Sequence, residues 1–415
     1  MDEKVSPADT AKNQPAGKAR RDIMILFAAR AARGFGDGFA VIILPAYLSA
    51  LGFDPIAIGI VATASLLGSA LFTMAVGYLA PRFDLRSILL GGALLMVATG
   101  VVFPAFQSLA FIVVVAFIGT INPSAGDIGL MIPVEHSMLA REVPDRERTR
   151  TFARYSLIGA LAAASGSLAA AIPELLVAHG WSQTGAFAAM FYGYAALGVI
   201  STTFYRWLPH AHAEAAHASA PLGPSRGIVY KLAALFSLDA FAGGFAVQTL
   251  VALWLFQRFG LSLAAASIFF FWSSLLAAFS YPVAARLSRR IGLINTMVFT
   301  HIPSSVCLIL ATFAPNLVTT LGLLLVRSAL SQMDVPTRTS YVMAVVAPEE
   351  RTAAASVTAV PRTLASAISP GIAGVLMTTP FSGLPFVICG ALKIAYDVGL
   401  LMSFRHIKPS EERVP

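Results

Sequence analysis

Twelve apolar segments, each long enough to cross a lipid bilayer as a helix, constrain the fold of this chain most. A spanning helix needs about 20 predominantly apolar residues. The chain is 57% hydrophobic and 12% charged, whereas a soluble domain has about 25% charged residues. We therefore predict an all-α membrane protein. Its segments, numbered here as spans one to twelve, run approximately over residues 23–50, 56–79, 88–106, 109–139, 152–178, 186–208, 228–256, 263–285, 294–313, 317–347, 353–377 and 384–404.

The second half of the chain repeats the first. Residues 35–44 share six of ten identities with residues 241–250, at an offset of 206. Pro144 and Pro348, in the loops after spans four and ten, continue the repeat at an offset of 204. A constant offset over half the chain indicates a duplicated unit. We expect two pseudo-symmetric six-helix bundles at residues 22–208 and 228–404, a cytoplasmic linker at 209–227, and cytoplasmic tails at 1–21 and 405–415.

Basic residues outside the apolar segments predict the orientation. Positively charged loops stay on the cytoplasmic side, and an N-terminus placed inside puts 22 of the 29 Lys and Arg residues there. Both termini are expected in the cytoplasm, with the chain in a bacterial inner membrane. The net charge of +8 then needs no nucleic-acid partner, which would require a basic soluble face. Cys307 and Cys389 lie in apolar segments, where packing is expected rather than a disulfide or a metal site.

Loop motifs resemble those of the major facilitator superfamily of secondary transporters. Residues 77–86 read Gly-Tyr-Leu-Ala-Pro-Arg-Phe-Asp-Leu-Arg, similar to the family's Gly-x-Leu-Ala-Asp-Arg-x-Gly-Arg-Lys/Arg motif. Pro81 replaces the acidic residue of that motif and Asp84 replaces its glycine. Twelve spans in two related sixes are also typical of the family. The resemblance implies the major facilitator fold, alternating access to a central cavity, a monomer without a cofactor, and a conformational role for the loop residues Gly77, Arg82, Asp84, Arg86, Arg286 and Arg290.

Span eleven carries the small-residue stretch Ser-Pro-Gly-Ile-Ala-Gly at residues 369–374. Its composition is similar to the Pro-Gly motif that antiporters of the superfamily carry in span five. Span five of this chain has small residues without the proline, at 159–166. Small residues also let membrane helices pack closely. The stretch therefore indicates either an antiporter element or a close helix contact.

Ionisable residues inside the spans mark the candidate site. A charge at the centre of a membrane helix costs about 2.5–3.5 kcal/mol on insertion scales, so its presence indicates a function. In the superfamily, spans one, four, seven and ten line the central cavity, and the embedded charges concentrate there. The candidates for solute binding and proton coupling are Arg33 and Asp37 in span one, Asp127 and Glu135 in span four, Asp239 and Gln248 in span seven, and Arg327, Gln332, Asp334 and Arg338 in span ten.

Several candidates also have a local structural explanation. Arg33 and Asp37 are four residues apart, as are Asp334 and Arg338, and side chains at this spacing can neutralise each other on one helix face. Glycines at 34, 36 and 38 favour instead a close contact or an opened backbone at a binding site. Since Arg33 and Asp239 are equivalent in the repeat but opposite in charge, we also predict that they pair across the bundles and change partners during transport.

Span four has two further features. Asn122-Pro123 is expected to kink the helix, because proline removes a backbone donor. Glu135 lies near a basic loop, where an interfacial pair with Arg154 explains it about as well as transport does. Metal coordination is not favoured, because His301 belongs to span nine, which the resemblance places away from span four.

Together these features predict a proton-coupled secondary transporter for a small organic solute. An embedded carboxylate can take up and release a proton, and the chain has no Gly-x₄-Gly-Lys-Ser/Thr loop for ATP. Arginines favour an anionic group on the solute, and abundant Phe, Met and Ala favour an amphiphilic metabolite or drug. We expect export, with a proton symporter that imports an organic anion as the alternative. A transport-dead sensor would usually add a signalling domain, and an enzyme would need a catalytic spacing that does not occur here.

Overall fold

The computed structural model describes residues 16–79, 82–124, 129–211 and 222–406. These residues form α-helices joined by short loops, and every predicted span corresponds to one long helix or to two helices in series. Nine spans contain a single long helix. They are Ala16–Ala50, Pro55–Leu79, Leu85–Val102, Asp145–Ala169, Gln183–Arg206, Leu263–Ile291, Leu293–Phe313, Arg351–Met377 and Leu384–Phe404, supplemented by the short helices Phe103–Ala105, Ile172–Ala178 and Pro348–Glu350.

Spans four, seven and ten are each interrupted. Span four comprises Leu109–Ile118 and Met131–Glu142, span seven comprises Arg226–Gly244 and Gln248–Phe259, and span ten comprises Leu317–Ser331 and Asp334–Val345. The second helices of spans four and ten match at an offset of 203 at both ends, so the interruption belongs to the repeat. The kink predicted at Asn122-Pro123 is thus a complete break.

Eight helical stretches are long and apolar enough to cross a membrane by length and composition. Span one is longer than any of them but less apolar, because it carries Arg33 and Asp37 near its middle. The chain is therefore an all-α membrane protein, as the sequence predicts.

The glycines of span one serve close packing and leave the helix intact. A Cβ on Gly34 would lie 2.8 Å from the carbonyl oxygen of Gly159 in span five, and a Cβ on Gly38 would overlap the carbonyl of Ala163. Across the same contact, a Cβ on Gly166 would overlap the carbonyl of Phe35. The opened backbone considered for span one is therefore wrong, and the small residues of span five allow two helices to approach closely.

Buried apolar side chains form one shared core and two separate ones. We call the end of the protein where span one begins the near end, and the opposite end the far end. At the far end a single cluster joins both bundles, with Leu48 and Phe103 from the first and Leu255 and Phe386 from the second. At the near end, the described residues of each bundle form a cluster of their own. The bundles are therefore packed together at the far end.

Each bundle binds one end of the linker at the near end. The Asp84 carboxylate accepts hydrogen bonds from the backbone N–H of Ala211 at 2.7 Å and from His210 Nδ1 at 2.8 Å. In the second bundle, the Glu350 carboxylate accepts from the backbone N–H of Gly223 at 3.0 Å and of Ser225 at 3.2 Å. Residues 212–221 of the predicted linker lie outside the described residues.

Candidate functional site

In the first bundle, the embedded charges are organised around Glu135. This side chain is completely buried in the second helix of span four. Its carboxylate forms an ion pair with Arg33 of span one and accepts hydrogen bonds from Tyr155 of span five and from Tyr205 of span six, the latter at 2.7 Å. Four spans are thereby joined by one carboxylate. The interfacial pair predicted with Arg154 is wrong, because Glu135 lies inside the bundle and Arg154 is exposed.

Arg30 completes this cluster. Its guanidinium lies over the Tyr155 ring, 5.4 Å from the centroid. Gly159 makes this position possible, since a Cβ there would overlap the Arg30 guanidinium. Tyr155 thus contacts a cation with its ring face and a carboxylate with its hydroxyl.

In the second bundle, the charges are organised around Asp239. Lys393 Nζ of span twelve lies 2.7 Å from Asp239 Oδ1, and Arg338 Nη1 of span ten lies 3.3 Å from Asp239 Oδ2. Arg338 also pairs with Asp334 one turn away, as the four-residue spacing predicts, and lies over the Phe236 ring. Two carboxylates and two cations therefore share one buried network.

The network continues into span nine through His301. Its Nε2 lies 3.2 Å from Lys393 Nζ and 3.8 Å from Asp239 Oδ1. Its Nδ1 lies 3.1 Å from both carboxylate oxygens of Asp397, which is fully buried in span twelve. His301, Lys393 and Asp397 were not among the predicted site residues. The four-residue spacing of Lys393 and Asp397, which puts both on one helix face, could have indicated them.

The predicted pair between Arg33 and Asp239 is replaced here by a pair inside each bundle. Arg33 binds Glu135, whereas Asp239 binds Arg338 and Lys393. Glu135 and Arg338 are themselves equivalent at the offset of 203 that relates their two helices. The same ion pair between a bundle's first and fourth spans therefore occurs twice, with its charges reversed. The proposed change of partners during transport stays a prediction.

Two further cations, Arg327 and Arg362, lie beside this network. The side chain of Arg327 in span ten has neither a hydrogen bond nor an ion pair within the described part of the chain. It lies near Cys389, one turn from Lys393. Arg362 of span eleven is exposed and interacts electrostatically with Arg338 and Asp239. Lys393 itself retains 13% side-chain exposure. The second bundle therefore presents more positive than negative side chains around Asp239.

Asp37 lies apart from the Glu135 carboxylate, next to Tyr194 of span six. Both residues line a narrow cavity of about 30 Å³, together with Arg33, Thr120 and Asn122. A cavity of this size holds about two water molecules. Tyr194 also hydrogen-bonds Thr120 at 3.0 Å, at the break in span four.

The remaining predicted site residues are scattered. Gln248 begins the second helix of span seven, and Gln332 lies at the break in span ten. Asp127 lies outside the described residues. Of the loop residues, Asp84 caps span three and holds the linker, Arg86 Nη1 lies 3.3 Å from His210 Nε2, and Gly77, Arg82, Arg286 and Arg290 are exposed.

Contacts between the bundles close the far end of the space between them. Thr249 Oγ1, just after the break in span seven, donates to the carbonyl oxygens of Val41 at 3.3 Å and Pro123 at 3.1 Å. Glu174 accepts hydrogen bonds from the backbone N–H of Leu263 at 2.5 Å and of Ala264 at 3.2 Å, at the N-terminus of span eight. An acidic side chain is stabilising at such a helix end.

The small residues of span eleven complete this closure. The Gly371 N–H donates to Thr63 Oγ1 of span two at 2.8 Å, and a Cβ on Gly59 would lie 2.6 Å from the Pro370 carbonyl oxygen. The Ser-Pro-Gly-Ile-Ala-Gly stretch is thus a close helix contact between the bundles. The two bundles are thus packed together at the far end, while the described residues at the near end form separate cores.

Comparisons with solved structures agree with this architecture. The nucleoside transporter NupG has 14% identity and a TM-score of 0.73, covering 92% of this chain and 100% of that one. The xylose transporter XylE from E. coli has 13% identity and a TM-score of 0.73, covering 94% and 98%. The human organic anion transporter MFSD10 has 15% identity and a TM-score of 0.65, covering 93% and 100%. At these identities the likeness shows the fold.

Sequence comparison gives a relative and a family. The "Uncharacterized membrane protein YJR124C" of Saccharomyces cerevisiae is 23% identical over 423 aligned positions, which cover 93% of this chain and 94% of the yeast protein. The family model described as "Major Facilitator Superfamily" matches residues 26–329 and 232–415. The two matches together cover nearly the whole chain, and the family and the fold are those of transporters. The chain therefore belongs to the major facilitator superfamily, as a secondary transporter.

Proposed function

We propose that the protein couples the movement of a small organic solute with an anionic group to the movement of protons. The observation that carries this proposal is the network around Asp239, where one buried carboxylate contacts two cations and faces a histidine. Removing one partner from a buried ion pair costs about 3–5 kcal/mol, so a proton or a solute charge that changes these pairings changes the energy of a conformation substantially.

The arrangement of cations supports an anionic solute. The sequence pointed to Arg33, Arg327 and Arg338, but Arg33 and Arg338 already bind carboxylates of their own bundle. Arg327 has no such partner in the described chain, and Arg362 and Lys393 lie close to the same network. An arginine presents a planar set of donors that matches a carboxylate or phosphate group. We therefore assign the anion preference to Arg327 and Arg362, and to Lys393 when its pair with Asp239 opens.

The sequence favours export of such a solute, which requires protons and solute to bind in alternation. Import by symport, the alternative, requires them to bind together. One observation favours symport. Lys393 and His301 both face Asp239 Oδ1, so a protonated histidine competes with the lysine for this carboxylate oxygen. Binding of a proton would then leave the lysine available to an anion.

Proteoliposomes that contain the purified protein and an internal pH dye test the proposal. A panel of aromatic carboxylates, organic phosphates and amphiphilic cations is added outside. We expect at least one anion to change the internal pH and to accumulate with the pH gradient, and Asp239→Asn to abolish both effects. Lys393→Gln should weaken transport of the anion. Lys231→Gln is its matched control, because Lys231 is an exposed lysine of span seven. Transport of amphiphilic cations alone, or a transport rate that does not depend on the pH gradient, would contradict the proposal.

A further inference from the structure

The contacts of His301 define which of its ring nitrogens carries the proton. Lys393 Nζ, an ammonium with donors only, lies 3.2 Å from His301 Nε2, so this nitrogen accepts a hydrogen bond through its lone pair. Nδ1 lies 3.1 Å from the Asp397 oxygens and donates to them. His301 is therefore neutral in this arrangement, with its hydrogen on Nδ1.

A second proton on His301 is incompatible with this arrangement. It would go to Nε2 and convert that nitrogen from an acceptor to a donor, which removes the hydrogen bond from Lys393 and sets two positive charges side by side. The nearest acceptor for the new N–H is Asp239 Oδ1, at 3.8 Å from Nε2. This oxygen is the one that Lys393 binds at 2.7 Å.

The other charged groups around His301 favour an exchange at Asp239. Asp397 of span twelve keeps its contact with Nδ1 in both protonation states, and Arg338 of span ten stays on Oδ2 of Asp239, supported by Asp334. From span twelve, Tyr396 contributes a ring edge to the His301 imidazole. The side chain of Lys393 retains 13% exposure. Gly243 lies next to its ammonium and has no side chain to block it.

We propose that protonation of His301 replaces Lys393 as the partner of Asp239 Oδ1 and releases the Lys393 ammonium to bind the anionic group of the transported solute. This inference rests on the proposed function for its solute and adds the device that couples it to protons. Protons and anion then bind together, which is the requirement for symport.

The exchange itself is measurable without a solute. The purified protein is labelled with ¹⁵N in its seven histidines and six lysines and titrated by NMR from pH 8 to pH 5, with His301→Gln and Lys393→Arg for assignment. We expect an unprotonated Nε2 and a protonated Nδ1 at pH 8, and a shift of the Lys393 Nζ signal at the midpoint where His301 gains its second proton. The proposal would be overturned by a protonated Nε2 at pH 8, or by a Lys393 Nζ signal that does not shift when His301 gains its second proton.

The release of Lys393 is tested by a cysteine beside it. Gly243→Cys is introduced into a variant that lacks the native cysteines, Cys307→Ser/Cys389→Ser. A Cβ at position 243 lies 3.8 Å from Lys393 Nζ, so the new thiol is close to the ammonium. The thiol is reacted with an anionic and, separately, with a cationic methanethiosulfonate reagent. The rate with the anionic reagent divided by the rate with the cationic reagent reports the local charge, because both rates are proportional to the same thiolate fraction. We expect this ratio to rise about tenfold or more between pH 8 and pH 5.5, from the arrival of one net positive charge nearby.

The rise should be mostly lost in His301→Gln and in Lys393→Gln, and retained in His136→Gln, a span-four histidine of the first bundle. A flat ratio in the parent, an equal rise in all variants, or no reaction at any pH would refute the release of Lys393. The outcomes are separable from those of the proposed function. Proton-coupled transport with an unshifted Lys393 signal refutes this inference alone, whereas the exchange without transport of any anion refutes the proposed function.

Discussion

The Glu135 cluster should be a stabilising element of the first bundle, and its energy can be worked out from the contacts. Glu135 is fully buried and accepts three hydrogen bonds, and the side chain of Arg33 retains 6% exposure. Glu135→Gln leaves the Arg33 charge buried without its paired carboxylate, which costs about 3–5 kcal/mol. Tyr205→Phe removes a single hydrogen bond to a charged group, which costs about 1.5–3 kcal/mol.

The test is a double-mutant cycle on the free energy of unfolding in mixed micelles. We expect Arg33→Gln and Glu135→Gln to lose about 3–5 kcal/mol each, and the double variant to lose less than their sum by about 2–3 kcal/mol, within the range found for residues in direct contact. Tyr192→Phe, an exposed tyrosine of span six, serves as the control for Tyr205→Phe. Additive losses, or a Glu135→Gln variant as stable as the parent, would show that the pair is not coupled and that the reasoning fails.

Three further predictions concern the closure of the far end and the linker. Gly374→Val should separate spans two and eleven, because a Cβ on Gly374 would overlap the Pro55 carbonyl. Distances between spin labels on the two bundles at the far end should therefore lengthen. Gly322→Val is the control and should leave these distances unchanged, because a Cβ on Gly322 meets no other atom within 4 Å. Glu174→Gln weakens two hydrogen bonds to the start of span eight, so thiol labelling at the far end should become several-fold faster, and an unchanged rate counts against this contact. Burial alone would raise the pKa of Asp84, but hydrogen bonds from Ala211, His210 and Ser87 outweigh it and hold the pKa below its usual value. The stability from this lowered pKa is present above the unfolded value of about 3.9 and lost as the pH falls through the folded pKa. Protease cleavage of the linker should therefore speed up as the pH falls below about 4. Asp84→Asn should be cleaved faster throughout, and a parent whose cleavage rate does not rise below this pH would contradict the assignment.

The sequence was informative about which spans carry charge and about the break in span four, because both are properties of position along the chain. Asn122-Pro123 predicted the interruption of span four from the missing proline donor. The spacing of Asp334 and Arg338 predicted their pair. Such inferences need only the rise and the turn of a single helix.

Contacts between helices were not predictable in the same way. The partners of Glu135 come from three other spans, and those of Asp239 from spans nine, ten and twelve. The height of a residue in a span follows from the sequence, but the rotation of one helix against another depends on packing. His301 was missed for this reason, since span nine contains no Asp, Glu, Lys or Arg to define its inward face. The glycines of span one predicted either a close contact or an opened backbone, and only the packing against span five decides between the two.

The reversed ion pairs constrain how the two bundles diverged after duplication. If the ancestral unit carried one orientation of the pair, a single substitution would have put two like charges at the positions now held by Arg33 and Glu135, or by Asp239 and Arg338. Losing one buried partner already costs about 3–5 kcal/mol, a large part of the 5–15 kcal/mol that stabilises a typical fold. A direct exchange of signs would therefore have strongly destabilised the intermediate. Lys393 binds Asp239 from a third helix and offers a route around this intermediate. An aspartate at position 239 could pair with Lys393 before an arginine was present at position 338.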